Sequence, residues 1–214
     1  MNNLPIEKKV QIINLLIEGN SLRDTSRIAD VSINTVTKLL VDVGTACQQF
    51  HHNTVIKINS ERVQCHEVWS FCYTTQKNVT QDTPDGSDDI WTWNAIDADT
   101  KLIISWFVGG REVNSAYEFM IDVANRLKNT VQLTTDGNRA YLTAVKSASD
   151  NDIDYEQLIK MYGGSGGSSD QEKKHYPAEC TGAKNTKVSG DPNPKFFSSY
   201  VERQNLTMRM HTRR

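Results

Sequence analysis

Two acidic residues stand where they could serve phosphoryl chemistry. Asp136 closes a β-branched, apolar run from Val131 to Thr135 and is followed by Gly137, so it falls at the carboxyl end of a predicted strand. Glu202 lies in Tyr200-Val201-Glu202-Arg203-Gln204-Asn205, within a helix predicted to start near Phe197, after Pro192 and Pro194. Carboxylates are the ligands that a hard cation such as Mg²⁺ takes. Two such ions about 3.5–4 Å apart activate an attacking oxygen and steady a leaving one in phosphodiester displacement. That chemistry needs acids from separate elements converging on one point. Each acid also has a plainer reading. Asp-Gly is a common turn dipeptide, and Glu202 beside Arg203 reads equally as a surface pair worth about 0–1 kcal/mol.

The elements that must position these acids divide at about residue 60. The first fifty residues read as three helices. Pro5 suits a first turn, Val10, Ile13, Leu16 and Ile17 recur at helical spacing, and Gly19 suits the stop. Ser21-Leu22-Arg23-Asp24 has the form of a capping box and opens a short second helix that carries Ile28 and Ala29 inward. Val31 sits in a tight turn and Ser32 is a good N-cap. Ile33, Val36, Leu39 and Leu40 then line one face of a third helix, leaving Asn34, Thr35 and Lys38 on the other. This is the layout of a helix-turn-helix, whose last helix enters the major groove of DNA. There Asn and Thr can read base edges and Lys can meet phosphate or guanine. An ordinary helical bundle with a solvated face has the same pattern. Residues 46–60, with the pair His51-His52, read as a linker, since adjacent histidines share no helix face.

From Arg62 the period changes. Val63–Tyr73, Ile90–Ile96 and Leu102–Val108 are short runs rich in β-branched and aromatic residues, separated by turn signals. A four-turn helix follows from Val113 to Leu127, then the strand that ends at Asp136. Arg139–Val145 reads as helix, Ile153–Met161 as a weaker amphipathic piece, and the Gly/Ser stretch 163–169 as a flexible linker. The order is that of an α+β domain with a mixed sheet, preceded by a small all-α domain. Trp69, Trp91, Trp93 and Trp106 all fall in predicted strands and read as core.

Composition narrows the function classes. The chain has 214 residues, 24 Lys plus Arg against 26 Asp plus Glu, and a formal charge of −2, so bulk charge does not hold it to a polyanion. Contact with nucleic acid must come from local patches. The segment 171–214 carries nine Lys/Arg and four Asp/Glu, whereas Asp82, Asp85, Asp88 and Asp89 make an acidic loop. No window approaches the ~18 apolar residues that cross a bilayer, and the amino terminus lacks the shape of a signal peptide. A cytoplasmic protein is expected. Cys47, Cys65, Cys72 and Cys180 form no C-x-x-C pair and read as reduced, mostly buried thiols.

Several stretches together carry a resemblance. They are Ala29-Asp30-Val31-Ser32-Ile33-Asn34-Thr35-Val36, Glu67-Val68-Trp69-Ser70-Phe71, Trp91-Thr92-Trp93-Asn94-Ala95-Ile96-Asp97, Leu133-Thr134-Thr135-Asp136-Gly137, Pro177-Ala178-Glu179-Cys180-Thr181-Gly182 and Tyr200-Val201-Glu202-Arg203-Gln204-Asn205-Leu206-Thr207. Spread through nearly the whole chain, they resemble the insertion sequence 1 family of bacterial transposases. The resemblance implies a helix-turn-helix domain over 1–45 that binds element ends, a linker over 46–60, and a ribonuclease-H-like catalytic domain of the DDE class over 61–214. In that class two Asp and one Glu hold Mg²⁺, with Mn²⁺ able to substitute. Water cleaves a DNA strand and the freed 3′-hydroxyl attacks target DNA. By motif position Asp136 is the second acid and Glu202 the third. Ser32, Asn34, Thr35 and Lys38 lie on the recognition helix. The partners implied are double-stranded DNA, as terminal repeats and as target, and further copies of the chain paired on it. Family members also continue past the motif at which this chain ends, which implies a truncated catalytic domain.

The first acid is where the sequence departs from the pattern. The position before Glu-x-Trp-Ser-Phe holds His66. Imidazole is a poor ligand for Mg²⁺. Glu67 is adjacent, but consecutive strand side chains point to opposite faces, so it is expected to take over only where the strand twists or bulges. Asp97 and Asp99 read as a turn. The expectation is a DDE-type transposase impaired by His66 and by the truncated carboxyl-terminal part. The alternatives are a non-catalytic DNA-binding protein acting as a repressor, and a metal-dependent nuclease that ignores element ends.

Overall fold

The computed structural model describes residues 4–148, 153–163, 180–193, 203, 206–208 and 210. The chain divides after Ile56 into two compact units.

The first unit holds α1 (Ile6–Ile17), α2 (Leu22–Ala29) and α3 (Ile33–Thr54). Local chemistry sets their ends. Gly19 adopts φ 80°, and Asn20 Nδ2 donates to Leu15 O at 2.9 Å, closing α1. The Ser21 hydroxyl accepts from Asp24 N at 3.0 Å, as the capping-box reading requires. Asp30 takes a left-handed conformation at φ 50°, and Ser32 Oγ accepts from Thr35 N at 3.2 Å to start α3. Ile12, Ala29 and Val36 are fully buried at the centre, with Leu15, Leu16, Leu22, Val31 and Leu39 around them. Short partners cover only a narrow stripe of each helix. Val10 and Ile17 of α1, Ile28 of α2, and Ile33 and Leu40 of α3 therefore lie exposed, contrary to their expected inward placement. Nor does α3 stop at residue 45. It runs unbroken through His51 and His52 to Thr54, so most of the expected linker is helix. No Gly or Pro interrupts Ala46–Thr54, and a helix propagates where nothing ends it.

The second unit is built on a six-stranded mixed sheet in the order β3-β2-β1-β4-β5-β6. Its strands are β1 (Arg62–Cys72), β2 (Asp88–Asp97), β3 (Ile103–Gly109), β4 (Gln132–Asp136), β5 (Asp154–Tyr162) and β6 (Cys180–Ser189). β1, β2 and β3 pair antiparallel as a meander, β4 lies parallel to both β1 and β5, and β6 closes the edge antiparallel. This is the mixed α+β architecture expected. α4 (Val113–Arg126) and α5 (Ala140–Ala148) supply helical cover. Val63, Cys65, Trp93, Ala95, Ile104 and Leu133 of the sheet pack with Phe119, Met120 and Val123 of α4 and with Tyr141, Ala144 and Val145 of α5. Trp93 is the pivot: its ring meets Phe119 and, edge-on at 5.3 Å, Tyr141, while Nε1 donates to Gly110 O at 2.9 Å.

Several expectations need correction. The weaker amphipathic piece expected over 153–161 is a strand, from Asp154 to Tyr162. β5 is flanked on both sides, and Tyr155, Glu156 and Gln157 are consecutive buried residues, so the alternation that marks a half-exposed strand is missing. Trp106 is 41% exposed on β3 and lies outside the core. Cys65 is buried, but Cys47 and Cys72 are exposed free thiols. The 97–100 stretch is the turn expected, with Asp97 Oδ1 accepting from Asp99 N and Thr100 N. Of the Gly/Ser linker only Gly163 is described, and the helix expected from Phe197 is helical at Arg203 and Leu206–Met208. Among the described residues no helix is long and apolar enough to cross a membrane.

Candidate metal centre

β1 and β4 lie side by side and parallel, with Cys65 opposite Thr135, so His66 and Asp136 are the next residues along at the same sheet edge. His66 Nε2 stands 3.9 Å from Asp136 Oδ2. Glu67 joins them: one ligand atom from each of His66, Glu67 and Asp136 lies within 4.8 Å of the others. Glu67 does so without a bulge, since the β1–β2 register is unbroken from Val63–Asp97 to Cys72–Asp88. The reason is geometric. β4 ends at Asp136 while β1 continues to Cys72, so beyond Cys65 no neighbouring strand walls off that flank. A long side chain from the opposite face can turn into the gap.

Neighbouring groups hold each carboxylate. Glu67 Oε1 accepts from Arg111 Nε at 3.2 Å and from Asn138 Nδ2. Arg111 also lies over the Trp91 ring, 4.4 Å from its centroid. Asp136 Oδ1 accepts from Asn138 N at 3.0 Å, the bond of an Asx turn through Gly137. Asp136 is thus both turn-former and member of the cluster. His66 Nδ1 bonds to Glu67 O at 2.8 Å. Arg111 and Asn138 were not anticipated from sequence. The only hint to Asn138 was its place two residues past Asp136, and to Arg111 its place after Gly109-Gly110.

The electrostatics are unbalanced. The Glu67 side chain is fully buried, and its Oε2 has no hydrogen-bond partner. Burial pushes its carboxyl above the ordinary range and the Asp136 charge adds to the shift, while Asn138, His66 and Arg111 pull it back. Burial likewise raises the Cys65 thiol and the Tyr141 phenol, each helped by Glu67. A buried carboxylate with one oxygen unsatisfied and a second carboxylate close by is the environment that a cation relieves. The residues present therefore fit a divalent cation. Asp97 and Asp99, in their turn, are not part of the cluster. Glu202 lies outside the described residues.

In the first unit, the four residues expected on the recognition helix differ in their freedom. Asn34 is exposed at the first turn of α3. Lys38 is exposed and paired to Asp42 at 2.6 Å. The Ser32 and Thr35 hydroxyls bond one another at 2.8 Å, beside the cap that Ser32 makes.

No family model matches the sequence, and no curated protein matches it. Among solved structures the chain is similar to the Mos1 strand transfer complex, at 13% identity over 73% of this chain and 59% of that one, with a TM-score of 0.31. The Mos1 mariner paired end complex with Mn gives 12% identity over 72% and 60%, TM-score 0.31. Endonuclease V from Bacillus subtilis gives 16% over 60% and 57%, TM-score 0.26. The chain spans about three-fifths of the length of the structures it matches. What the site can do chemically follows from its own side chains.

Proposed function

We propose that the chain is a DNA strand-transfer enzyme of the transposase type, similar to the insertion sequence 1 family. The observation that carries this reading is the meeting of His66, Glu67 and Asp136 at the carboxyl edge of two adjacent parallel strands. Carboxylates converging from separate elements are what metal-assisted phosphodiester chemistry needs. His66, Glu67 and Asp136 would hold the ion, with Glu202 the third acid by motif position. The chemistry supplied by such an ion, when bound, would be Lewis-acid polarisation of a phosphodiester oxygen and activation of water. The chain's own groups do the rest. Asn138 and Arg111 fix Glu67, and the Arg111 guanidinium, half exposed against Trp91, is placed to meet a phosphate oxygen.

The first unit is the end-binding domain in this reading, with α3 as recognition helix. Asn34 and Lys38 are exposed and suited to base edges or phosphate, whereas Ser32 and Thr35 act through the cap. Double-stranded DNA is the partner, and pairing of two ends implies more than one copy of the chain. A second reading, a DNA-binding protein without catalysis, is favoured by one observation: His66 occupies the position where the resembling family has Asp.

Nicking of a plasmid carrying candidate element ends, assayed in Mg²⁺ and in Mn²⁺, separates the two. Metal-dependent nicking lost in Asp136→Asn supports the enzyme. End binding that persists with no nicking in either ion supports the repressor.

A further inference from the structure

We propose that the His66–Glu67–Asp136 centre is built for a first-row transition-metal dication in preference to Mg²⁺, with the His66 imidazole as the ligand that sets the preference. This rests on the reading of the cluster as a divalent-cation site. It goes further in saying which ion the chain selects and which residue selects it.

Three observations point this way. First, the donor set is one imidazole and two carboxylates, all within 4.8 Å of one another. Mg²⁺ demands near-octahedral oxygen coordination, whereas imidazole suits the later first-row ions. Second, the ring is already oriented as a ligand. His66 Nδ1 lies 2.8 Å from Glu67 O, and a carbonyl oxygen only accepts, so Nδ1 carries the proton. In the neutral ring Nε2 is then the lone-pair nitrogen, and it is the atom 3.9 Å from Asp136 Oδ2. A metal-binding histidine typically donates its other N–H to a backbone carbonyl or carboxylate in just this manner. Third, Glu67 Oε2 is buried without a hydrogen bond, with His66 Nδ1 4.0 Å away, while Oε1 is held by Arg111 and Asn138, which leaves one oxygen of a fixed carboxylate for the ion. Asp136 is divided the same way, with Oδ1 held by Asn138 N.

Any site with nitrogen or oxygen donors binds a later first-row ion such as Co²⁺ more tightly than Mg²⁺, so the discriminating quantity is how the Co²⁺/Mg²⁺ affinity ratio depends on residue 66. The chelator-stripped full chain and its His66→Asp variant are titrated with each ion by calorimetry. The ratio is expected to fall in the variant by about tenfold or more, at least the change that losing an outer partner of a ligand produces. An unchanged ratio, or no binding of either ion to the wild-type chain, overturns the proposal. Pulsed electron paramagnetic resonance on the Mn²⁺-loaded protein covers the case in which His66→Asp fails to fold. Nitrogen modulation from a bound imidazole is expected in the wild type and should vanish in His66→Gln. Its absence from the wild type refutes ligation by His66.

The plasmid assay tells the two readings apart. Ion selectivity and nitrogen modulation without nicking overturn strand transfer and support the selection. Nicking in Mg²⁺ with no nitrogen modulation overturns the selection and supports strand transfer.

Discussion

Replacing Glu67 by Gln should stabilise the metal-free protein, an unusual outcome for a change at a fully buried polar residue. In the wild type Oε2 is desolvated without a partner, and a second carboxylate, that of Asp136, lies close by. Leaving a buried acceptor unsatisfied costs about 1–3 kcal/mol, and more for a charged one. Gln keeps an oxygen for Arg111 and Asn138 and removes the negative charge that stands beside Asp136. What is lost is the charge in the Arg111 pair. Its guanidinium is 48% exposed, so that loss is modest, about 0–1 kcal/mol. The net gain is about 1–2 kcal/mol, or roughly 2–8 °C in melting temperature at this chain length. The sign with pH follows from the raised Glu67 pKa. The folded state holds that proton to higher pH than the unfolded chain does. Wild-type stability therefore falls as pH rises from the ordinary Glu value through the folded pKa, and is level above it. The variant's advantage in chelator should grow as pH rises through the folded Glu67 pKa and shrink toward zero at acidic pH. Added Mn²⁺ should reverse the order, since only the wild type keeps both carboxylates. Chemical denaturation of both proteins with chelator, at pH 8 and pH 5, reads all of this. A variant less stable than wild type at pH 8 without metal refutes the account of Glu67 as a strained, cation-seeking group.

Four further outcomes follow from local geometry. Ser32→Ala should lower stability by about 0.5–2 kcal/mol through loss of the α3 cap, whereas Lys38→Ala should leave melting nearly unchanged. In DNA titrations Lys38→Ala should reduce the slope of log affinity against log salt by about 1 if Lys38 meets phosphate, and Asp42→Ala, which frees Lys38, should tighten binding. Tyr141→Phe should be neutral or stabilising by up to about 1 kcal/mol in thermal melts, because the Tyr141 hydroxyl is buried without a partner. Gly190→Ala should cost about 1–3 kcal/mol: Gly190 sits at φ 65°, and a Cβ there would lie 2.2 Å from Asp154 Oδ1, which accepts from Asp191 N, and 2.8 Å from the backbone atoms Asp154 Cα and Ile153 O. A melting temperature equal to wild type would show the β5–β6 corner to be softer than that.

What was legible in the sequence was legible for local reasons. Ser21 and Ser32 announce helix starts because a hydroxyl bonds an amide three residues on, and Asp136-Gly137 announces a strand end because the turn needs only its own residues. β1 to β3 and α4 follow from period and composition. β5 was hidden because Glu156 and Gln157 are polar yet buried, satisfied by Gln132, Thr134 and Asn185 for the one and by Thr135 and Asn138 for the other. Those bonds exist only in the folded sheet. β6, with Lys184, Asn185 and Lys187, has no apolar run to mark it. At the centre, residue type and spacing singled out Asp136 and His66. Alternation along a strand argued against Glu67, because it takes for granted a neighbour strand on each side. Arg111 and Asn138 reach Glu67 from 44 and 71 positions away in the chain, distances at which no pattern in sequence speaks.

A strand that outlasts its neighbour also changes what single-codon events can do to a site. In the interior of a sheet the two faces are separate compartments, and a ligand lost from one cannot be made good from the other. At the corner where β1 runs past Asp136 that partition is gone. One nucleotide separates the codons for Asp and His. Such an exchange at position 66 would leave Glu67 and Asp136 as carboxylates at the same corner, altering the hardness of the donor set without abolishing it. The corner makes drift between ion preferences accessible in one step, through a lineage that never passes an empty site.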